Sequence, residues 1–231
     1  MINKVNKSII IFAIFAFGFF ISNLLRSITA TLTPVLTNEF NLTAGNLGLL
    51  GGGYFLGFSL MQIPAGLLLD KYGPKKVVAY LLLIALVATI SFAFAKNFTG
   101  LLISRFFIGV GVSACLMGPL TGYRVWFKEK YQQRANSWML MIASTGFVFS
   151  TLPVQILLPI FGWRWIFGGI TFLILLVIVL TLIFIPSWGN NNNDQEQNNA
   201  GSLSDVWKNK FFRSTIHLSY THLTLQTILL V

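Results

Sequence analysis

The stretch Gly66-Leu67-Leu68-Leu69-Asp70-Lys71-Tyr72-Gly73-Pro74-Lys75-Lys76 ends one long apolar run of the chain and leads into another. The first run covers residues 45–69 and the second covers residues 77–95. Each is close to the roughly 20 residues that an α-helix needs to cross the hydrocarbon core of a bilayer. The charged residues between them cannot enter lipid at low cost. The stretch therefore predicts a reversal between two membrane-spanning helices.

The same pattern recurs along the chain. Six apolar runs are long enough to span a membrane, at residues 8–36, 45–69, 77–95, 100–123, 137–160 and 165–185. Lipid offers no partner for backbone N–H and C=O groups, so such runs must be helical. We predict an all-α membrane protein in which six transmembrane helices form one bundle.

Composition agrees with this class. Of the 231 residues, 55% are hydrophobic and only 10% are charged, whereas a soluble domain carries about 25% charged residues. A surface in contact with water needs charge, and a surface in contact with lipid excludes it. A soluble globular fold is therefore excluded.

The basic residues indicate how the chain is oriented. The net charge of +10 suggests a nucleic-acid partner, but the basic residues lie in short connections and not in one patch. Twelve of the 16 fall on one side of the predicted membrane: Lys4, Lys7, Lys71, Lys75, Lys76, Arg124, Lys128, Lys130, Arg134, Lys208, Lys210 and Arg213. Only Lys96 and Arg164 fall in connections on the other side. Because cytoplasmic loops are enriched in Lys and Arg, we expect a multi-pass protein of the plasma or inner membrane with a cytoplasmic N-terminus and no nucleic-acid partner.

Composition also divides the chain. We assign residues 1–186 to the helical bundle and residues 187–213, which are rich in Asn and Gln, to a cytoplasmic linker. Residues 214–231 are a doubtful tail, because Ser219 to Thr227 resembles a translated sequencing-library adapter where a seventh helix is expected. Both histidines lie in this tail, so neither a metal nor a cofactor is predicted.

The stretch at residues 66–76 resembles the signature between helices two and three of the major facilitator superfamily. The resemblance implies a gating motif made of Gly66, Asp70, Lys71, Gly73, Lys75 and Lys76. Glycine can adopt the positive φ of a tight reversal, and a carboxylate can cap a helix or pair with a cation. Leu69 and Pro74 depart from the family pattern. A simple positively charged turn without a gating role is the alternative.

A second resemblance lies in the fourth run, where Arg105 is followed by Gly109 and Gly111. This is similar to the fourth-helix motif of the same family and implies a part in substrate binding or proton coupling. The alternative is that Arg105 extends to the outer interface. The fifth run has Gly146 and Pro153 but no Gly-Pro pair, which argues against antiport.

The first run contributes a further candidate, Arg26, about two-thirds of the way across. A charge at that depth indicates a functional site, and a guanidinium favours a planar anion. We place Arg26, Asn23, Gln62 and Arg105 in a substrate site, with Ser27, Thr29 and Thr31 as nearby hydrogen-bonding groups. The alternative is that the first helix ends near Thr31 and Arg26 is interfacial.

The second run is rich in glycine. Gly48 and Gly52 are four residues apart, as are Gly53 and Gly57, which predicts close approach of helix backbones. Two roles fit this spacing: a contact that slides as a transporter moves, or static packing. Both need the same glycines.

Together these features predict half of a 12-helix secondary transporter that moves a small solute, preferably an anion, by alternating access. Its partners are the substrate, the lipid bilayer, a coupling proton or ion, and a missing C-terminal six-helix half. No carboxylate lies inside any run, so this half offers no buried acid for proton coupling. An enzyme is not predicted, since no His, Cys, Asp or Glu cluster is present. The alternative is a non-transporting receptor or scaffold on the same fold.

Overall fold

The computed structural model describes residues 4–187, with side chains from residue 8 onward. Its helical elements are α1 (Lys4–Phe40), α2 (Ala44–Ala93), α3 (Phe98–Val112), α4 (Ala114–Trp126), α5 (Glu129–Phe149) and α6 (Leu152–Phe184). No strand occurs in this part of the chain. The predicted linker beyond Ser187, with its basic residues, and the predicted tail at 214–231 lie outside the described residues.

Four helical segments are long and apolar enough to cross a membrane: Ser8–Phe40, Ala44–Ala93, Phe98–Trp126 and Leu152–Phe184. The all-α membrane class is therefore confirmed, but the six predicted runs are not six separate helices. The second and third runs share α2, and Ser113 divides the fourth run between α3 and α4. The fifth run is divided between α5 and the start of α6, because the helix is interrupted at Ser150 and Thr151.

The element α2 reverses direction at Gly73. This glycine has φ 76° and ψ 163°, a conformation that is open essentially only to glycine. Leu69, before the reversal, and Val78, after it, both lie against Gly118 on α4. Further from the reversal, Gly57 lies against Phe106 in α3. The two parts of α2 therefore pack on α3 and α4 in opposite directions.

A second reversal occurs in α6 at Gly162, whose φ of 74° and ψ of 160° nearly repeat those of Gly73. Directly after it, the Trp163 indole donates a hydrogen bond of 2.7 Å to Glu39 in the last turn of α1. Further along the same segment, Val177 approaches Gly18 near the start of α1. The segment after Gly162 therefore runs antiparallel to α1.

Two helix boundaries differ from the predicted runs. The helix α2 continues beyond the predicted end at residue 69 and is helical through residues 66–76 except at Gly73. The helix α1 continues past Pro34 and past the predicted end at residue 36 to Phe40, so Glu39 lies in its last turn. Trp163 is only 3% exposed and packs against Phe92 with ring centroids 5.7 Å apart.

Candidate substrate site

Tyr54 on α2 lies at the centre of a polar layer within the bundle. Its side chain is fully buried, and its hydroxyl lies 3.5 Å from the carbonyl oxygen of Ser22 on α1. The position of Tyr54 is fixed by the close approach of α2 and α3, where Gly109 lies directly against the Tyr54 carbonyl. A side chain larger than hydrogen at Gly109 would push Tyr54 away.

Arg105 on α3 lies beside this tyrosine. Its guanidinium carbon is 5.0 Å from the centroid of the Tyr54 ring, within the range of a cation–π interaction. Its Nη1 atom donates a hydrogen bond of 2.8 Å to the carbonyl oxygen of Leu25 on α1. Arg105 is 1% exposed, and its Nε atom has no partner among the described residues. The side chain thus points across the bundle toward α1.

Arg26 on α1 occupies the same layer from the opposite side. Its guanidinium carbon lies 5.0 Å from the Phe58 ring and 5.7 Å from the Phe55 ring, both on α2. The side chain is half-buried, and its buried Nε atom has no partner within residues 8–187. Phe58 in turn stacks on Tyr54, with ring centroids 6.2 Å apart, so Arg26 and Arg105 both lie close to this tyrosine. Two predicted site residues are therefore brought together around a third that the sequence did not indicate.

No carboxylate balances these two cations within the described part of the chain. The ion pair found there joins Arg164 to Glu39, at 2.6 Å. The other described acidic side chains, Asp70 and Glu129, are exposed. A buried charge is normally paired, because the low dielectric of the membrane interior leaves it poorly solvated. The layer around Tyr54 consequently carries an excess of positive charge.

The remaining polar residues near Arg26 join α1 to α5. Asn23 donates to the Ala143 carbonyl at 3.0 Å, Ser27 donates to the Ser150 hydroxyl at 2.7 Å, and Thr31 donates to the Ser150 carbonyl. Their spacing of four residues places them on one face of α1. The structure thus uses these groups as interhelical contacts, while Thr29, also named as a nearby group, has a buried hydroxyl with no described partner.

Gln62 lies on α2, four residues beyond Phe58 and on the same helical face. It is half-buried, and its Nε2 atom is buried without a hydrogen-bond partner among the described residues. An unsatisfied buried amide costs free energy unless a ligand or water pairs with it. Gln62 therefore stays in the candidate site, one turn further along α2.

The predicted gating residues gather around the reversal at Gly73. Asp70 and Lys71 are exposed, and the Lys71 ammonium lies 5.3 Å from the Tyr72 ring. Across residues 8–187, no hydrogen bond or ion pair to Asp70 is found, so the predicted cap or charge pair is not formed there. The other members are the half-buried Gly66 and Lys75 and the exposed Lys76.

The four glycines predicted to mediate packing divide into two pairs. Gly53 and Gly57 lie against α3, and a Cβ atom on Gly53 would come within 2.9 Å of Leu102. A Cβ atom on Gly57 would meet the carbonyl of Phe106 directly. Gly48 and Gly52 instead have open space where a Cβ would be. Of the four, only Gly53 and Gly57 therefore have a packing partner within the described residues.

A polar cluster that the sequence did not predict joins α1, α2 and α6. The Trp163 indole donates a hydrogen bond of 2.7 Å to Glu39, and Arg164 forms its ion pair with the same carboxylate. Arg164 also lies 3.4 Å from the Ala95 carbonyl. The reversal at Gly162 places Trp163 and Arg164 beside the end of α1. No sequence motif predicts this arrangement.

Metal chemistry has no support in the described residues. No group of three or more His, Cys, Asp or Glu side chains comes together there. Cys115, the cysteine of the chain, is buried within α4.

Comparison with known proteins identifies the family. The sequence profile of the Major Facilitator Superfamily matches residues 15–231. The chain belongs to the major facilitator superfamily. The prediction from the stretch at residues 66–76 is thereby confirmed, and this superfamily is one of transporters and not of enzymes.

Named relatives of this superfamily member are transporters. A probable sulfoacetate transporter of Cupriavidus necator, SauU, is 27% identical over 164 residues, which are 71% of this chain and 38% of that protein. The niacin transporter NiaP of Acinetobacter baylyi is 29% identical over 164 residues, which are 70% of this chain and 37% of that protein. The chain therefore spans well under half of the length of these relatives.

A solved structure shows the fold. The crystal structure of a bacterial homologue of the human lysosomal transporter Spinster, inward-facing and occupied, matches with a TM-score of 0.69 at 19% identity. The match covers 82% of this chain and 47% of that protein. The described helices therefore have the arrangement found in about half of a major facilitator protein.

Proposed function

We propose that this chain forms the N-terminal half of a secondary active transporter that moves a small organic or inorganic anion by alternating access. The observation that carries the proposal is the convergence of Arg26 and Arg105 on Tyr54 without a described carboxylate. An anionic substrate would supply the missing negative charge. It would leave when the site opens to water, since the cations can then be solvated.

The chemistry of guanidinium groups supports a planar or oxyanionic substrate. Arginine donates paired hydrogen bonds that match carboxylate and sulfonate oxygens. The two named relatives are a probable sulfoacetate transporter and a niacin transporter, and both compounds are anions at neutral pH. We therefore place a carboxylate or sulfonate between Arg26 and the Tyr54 hydroxyl, with Gln62 as a further donor.

The proposed topology has six crossings. The reversals at Gly73 and Gly162 each divide one helical element into two antiparallel segments. Counting α3 with α4, and α5 with the start of α6, gives six passes of alternating direction. The enrichment of Lys and Arg in these connections supports a cytoplasmic location for the N-terminus and residues 71–76, in a plasma or inner membrane.

Alternating access requires a second bundle on the other side of the substrate. We propose that a C-terminal six-helix half completes the cavity and supplies the group that couples transport to a proton or ion, as in a symporter. The layer around Tyr54 contains no described acid that would serve this purpose. Residues 1–218, reconstituted alone, should therefore show no uptake.

The test is substitution of Arg26 by Lys in the transporter that contains both six-helix halves. Uptake of labelled sulfoacetate and nicotinate is measured in cells that lack other carriers for them. A lysine keeps the charge but loses the paired donors, so apparent affinity should fall about tenfold or more, because a hydrogen bond to a charged group contributes roughly 1.5–3 kcal/mol.

The exposed Arg124 provides the control, and Arg124→Lys should leave apparent affinity unchanged. Unaltered kinetics in Arg26→Lys would remove the anion site from the proposal. Absence of uptake for any small anion by the intact, correctly inserted protein would favour a non-transporting receptor or scaffold.

A further inference from the structure

A cavity of about 660 Å³ lies where the start of α1, the end of α4 and the start of α5 meet. It is separate from the candidate substrate site. Phe12 lines the cavity and lies 14 residues before Arg26 on α1, which is about 21 Å along the helix axis. Nothing in the transport proposal uses this cavity.

The cavity has an apolar part and an aromatic rim. Ile9 and Phe12 on α1 provide apolar surface, and Ile9 is 59% exposed although it lies in an apolar helix. Trp126, Tyr131 and Trp138 surround this surface. Tryptophan and tyrosine are enriched where a membrane protein passes from the hydrocarbon core to the headgroup region. This aromatic lining is typical of the depth where lipid chains meet their headgroups.

The charged lining is positive. Lys128 and Arg134 line the cavity, both are exposed, and no acidic side chain is among the described lining residues. Glu129 lies in the first turn of α5 but does not line the cavity. Lys128 is also the N-cap residue immediately before α5, and no side chain caps that helix end. Uncapped N–H groups at a helix N-terminus attract phosphate oxygens.

We propose that this cavity binds an anionic phospholipid. The headgroup phosphate lies between Lys128, Arg134 and the first turn of α5, and one acyl chain covers Ile9 and Phe12. Basic pockets between helices on the cytoplasmic side are suited to acidic lipid headgroups. A free phosphate would leave the apolar surface in water, and a zwitterionic lipid would gain less from the two cations. An acidic lipid both covers the apolar surface and pairs with the two cations.

The experiment uses the 231-residue chain in nanodiscs of phosphatidylcholine that contain a minor fraction of phosphatidylglycerol. Native mass spectrometry counts the lipids that remain bound after release. The test variant is Lys128→Gln combined with Arg134→Gln. Its matched control is Arg124→Gln combined with Lys130→Gln, which removes the same charge from the same region without replacing a residue that lines the cavity.

We expect phosphatidylglycerol to remain bound to the unsubstituted chain in preference to phosphatidylcholine. Occupancy should fall roughly tenfold in the test variant and less than twofold in the control, because each cation near the headgroup strengthens binding several-fold. Adding glycerol 3-phosphate should not displace the lipid. Circular dichroism checks that both variants keep the helical content of the unsubstituted chain.

Four outcomes would overturn the proposal. Equal retention of phosphatidylcholine would show that the headgroup is not recognised. An equal loss of bound lipid in the control variant would show that general surface charge, and not this cavity, retains the lipid. Displacement by glycerol 3-phosphate would assign the site to a soluble phosphate. Absence of any bound lipid from the unsubstituted chain would show that the cavity does not hold a lipid. None of these results depends on whether the chain transports an anion.

Discussion

Arg105 on α3 donates a hydrogen bond of 2.8 Å to the backbone carbonyl of Leu25, the residue next to Arg26 on α1. This contact fixes one candidate site cation relative to the other through the backbone. The same guanidinium lies against the Tyr54 ring. Arg105 therefore contacts both α1 and Tyr54, and its 1% exposure leaves no direct opening to solvent.

This geometry predicts the effect of Arg105→Lys. A lysine ammonium is compact and cannot both donate to Leu25 and lie flat on the Tyr54 ring. Loss of a buried, charge-assisted hydrogen bond should lower the free energy of unfolding by about 1–3 kcal/mol. Equilibrium unfolding in mixed detergent micelles measures this change. Arg124→Lys, at an exposed position, should stay within about 0.5 kcal/mol of the unsubstituted chain.

Tyr54→Phe separates the ring from the hydroxyl. The ring contacts with Arg105 and Phe58 are retained, and the hydrogen bond to Ser22 is long, so stability should change by less than about 1 kcal/mol. In the complete transporter the hydroxyl would be missing from the proposed anion site, so KM should rise while the amount of inserted protein is unchanged. A variant with normal KM would place the hydroxyl outside the site.

Much of the site was accessible from the sequence because charge is rare in this chain. Arg26 and Arg105 interrupt apolar runs, so each was predicted independently to face the interior. Tyr54 was not predicted, because a tyrosine between glycines and phenylalanines gives no signal of which helix it will face. Asn23, Ser27 and Thr31 were predicted as hydrogen-bonding groups near Arg26, but their bonds to α5 follow from packing alone.

Helix boundaries were harder to predict than helix existence. The reversal at Gly73 was predictable, since a glycine lies among charged residues between two apolar runs. The reversal at Gly162 has fewer charges around it, and the predicted boundary fell close to it without identifying the glycine. The interruptions at Ser113 and Ser150 lie within apolar runs. Their serine hydroxyls bond to the carbonyls of Val110 and Phe147, which hydropathy does not report.

The contact between α2 and α3 predicts opposite effects for two alanine substitutions in α2. In Gly57→Ala the new Cβ would meet the Phe106 carbonyl, a backbone group that cannot rotate away. Separation of the helices should lower the free energy of unfolding by about 1–3 kcal/mol. Gly52→Ala adds a methyl group in open space and should raise stability by up to about 1 kcal/mol, because alanine is the better helix former.

The comparison is made by equilibrium unfolding of both variants under the same detergent conditions. A similar loss in both would show that general helix flexibility, and not the contact with Phe106, determines the role of these glycines. A similar loss in Gly109→Ala is expected, because that Cβ would meet the Tyr54 carbonyl in the same crossing.

The reversal at Gly162 allows backbone strain to be measured without steric conflict. An ideal Cβ on Gly162 has no neighbour within 4 Å, and the same is true of Gly169, seven residues later in α6. The two sites differ in backbone, since only Gly162 has a positive φ, of 74°. Gly162→Ala should therefore cost about 1–3 kcal/mol from strain alone, whereas Gly169→Ala, in regular helix, should stabilise by up to about 1 kcal/mol.

Strain at residue 162 also predicts a local structural change, which fluorescence measures independently of the free energy of unfolding. Relief of an unfavourable φ at residue 162 would move Trp163 and Arg164 away from Glu39, with which both now interact. Accessibility of the Trp163 indole to an aqueous fluorescence quencher should rise in Gly162→Ala and stay constant in Gly169→Ala. The other five tryptophans are replaced by Phe in both backgrounds: Trp126, Trp138, Trp165, Trp188 and Trp207. Equal stability and equal quenching in the two variants would mean that the chain reverses here without requiring glycine.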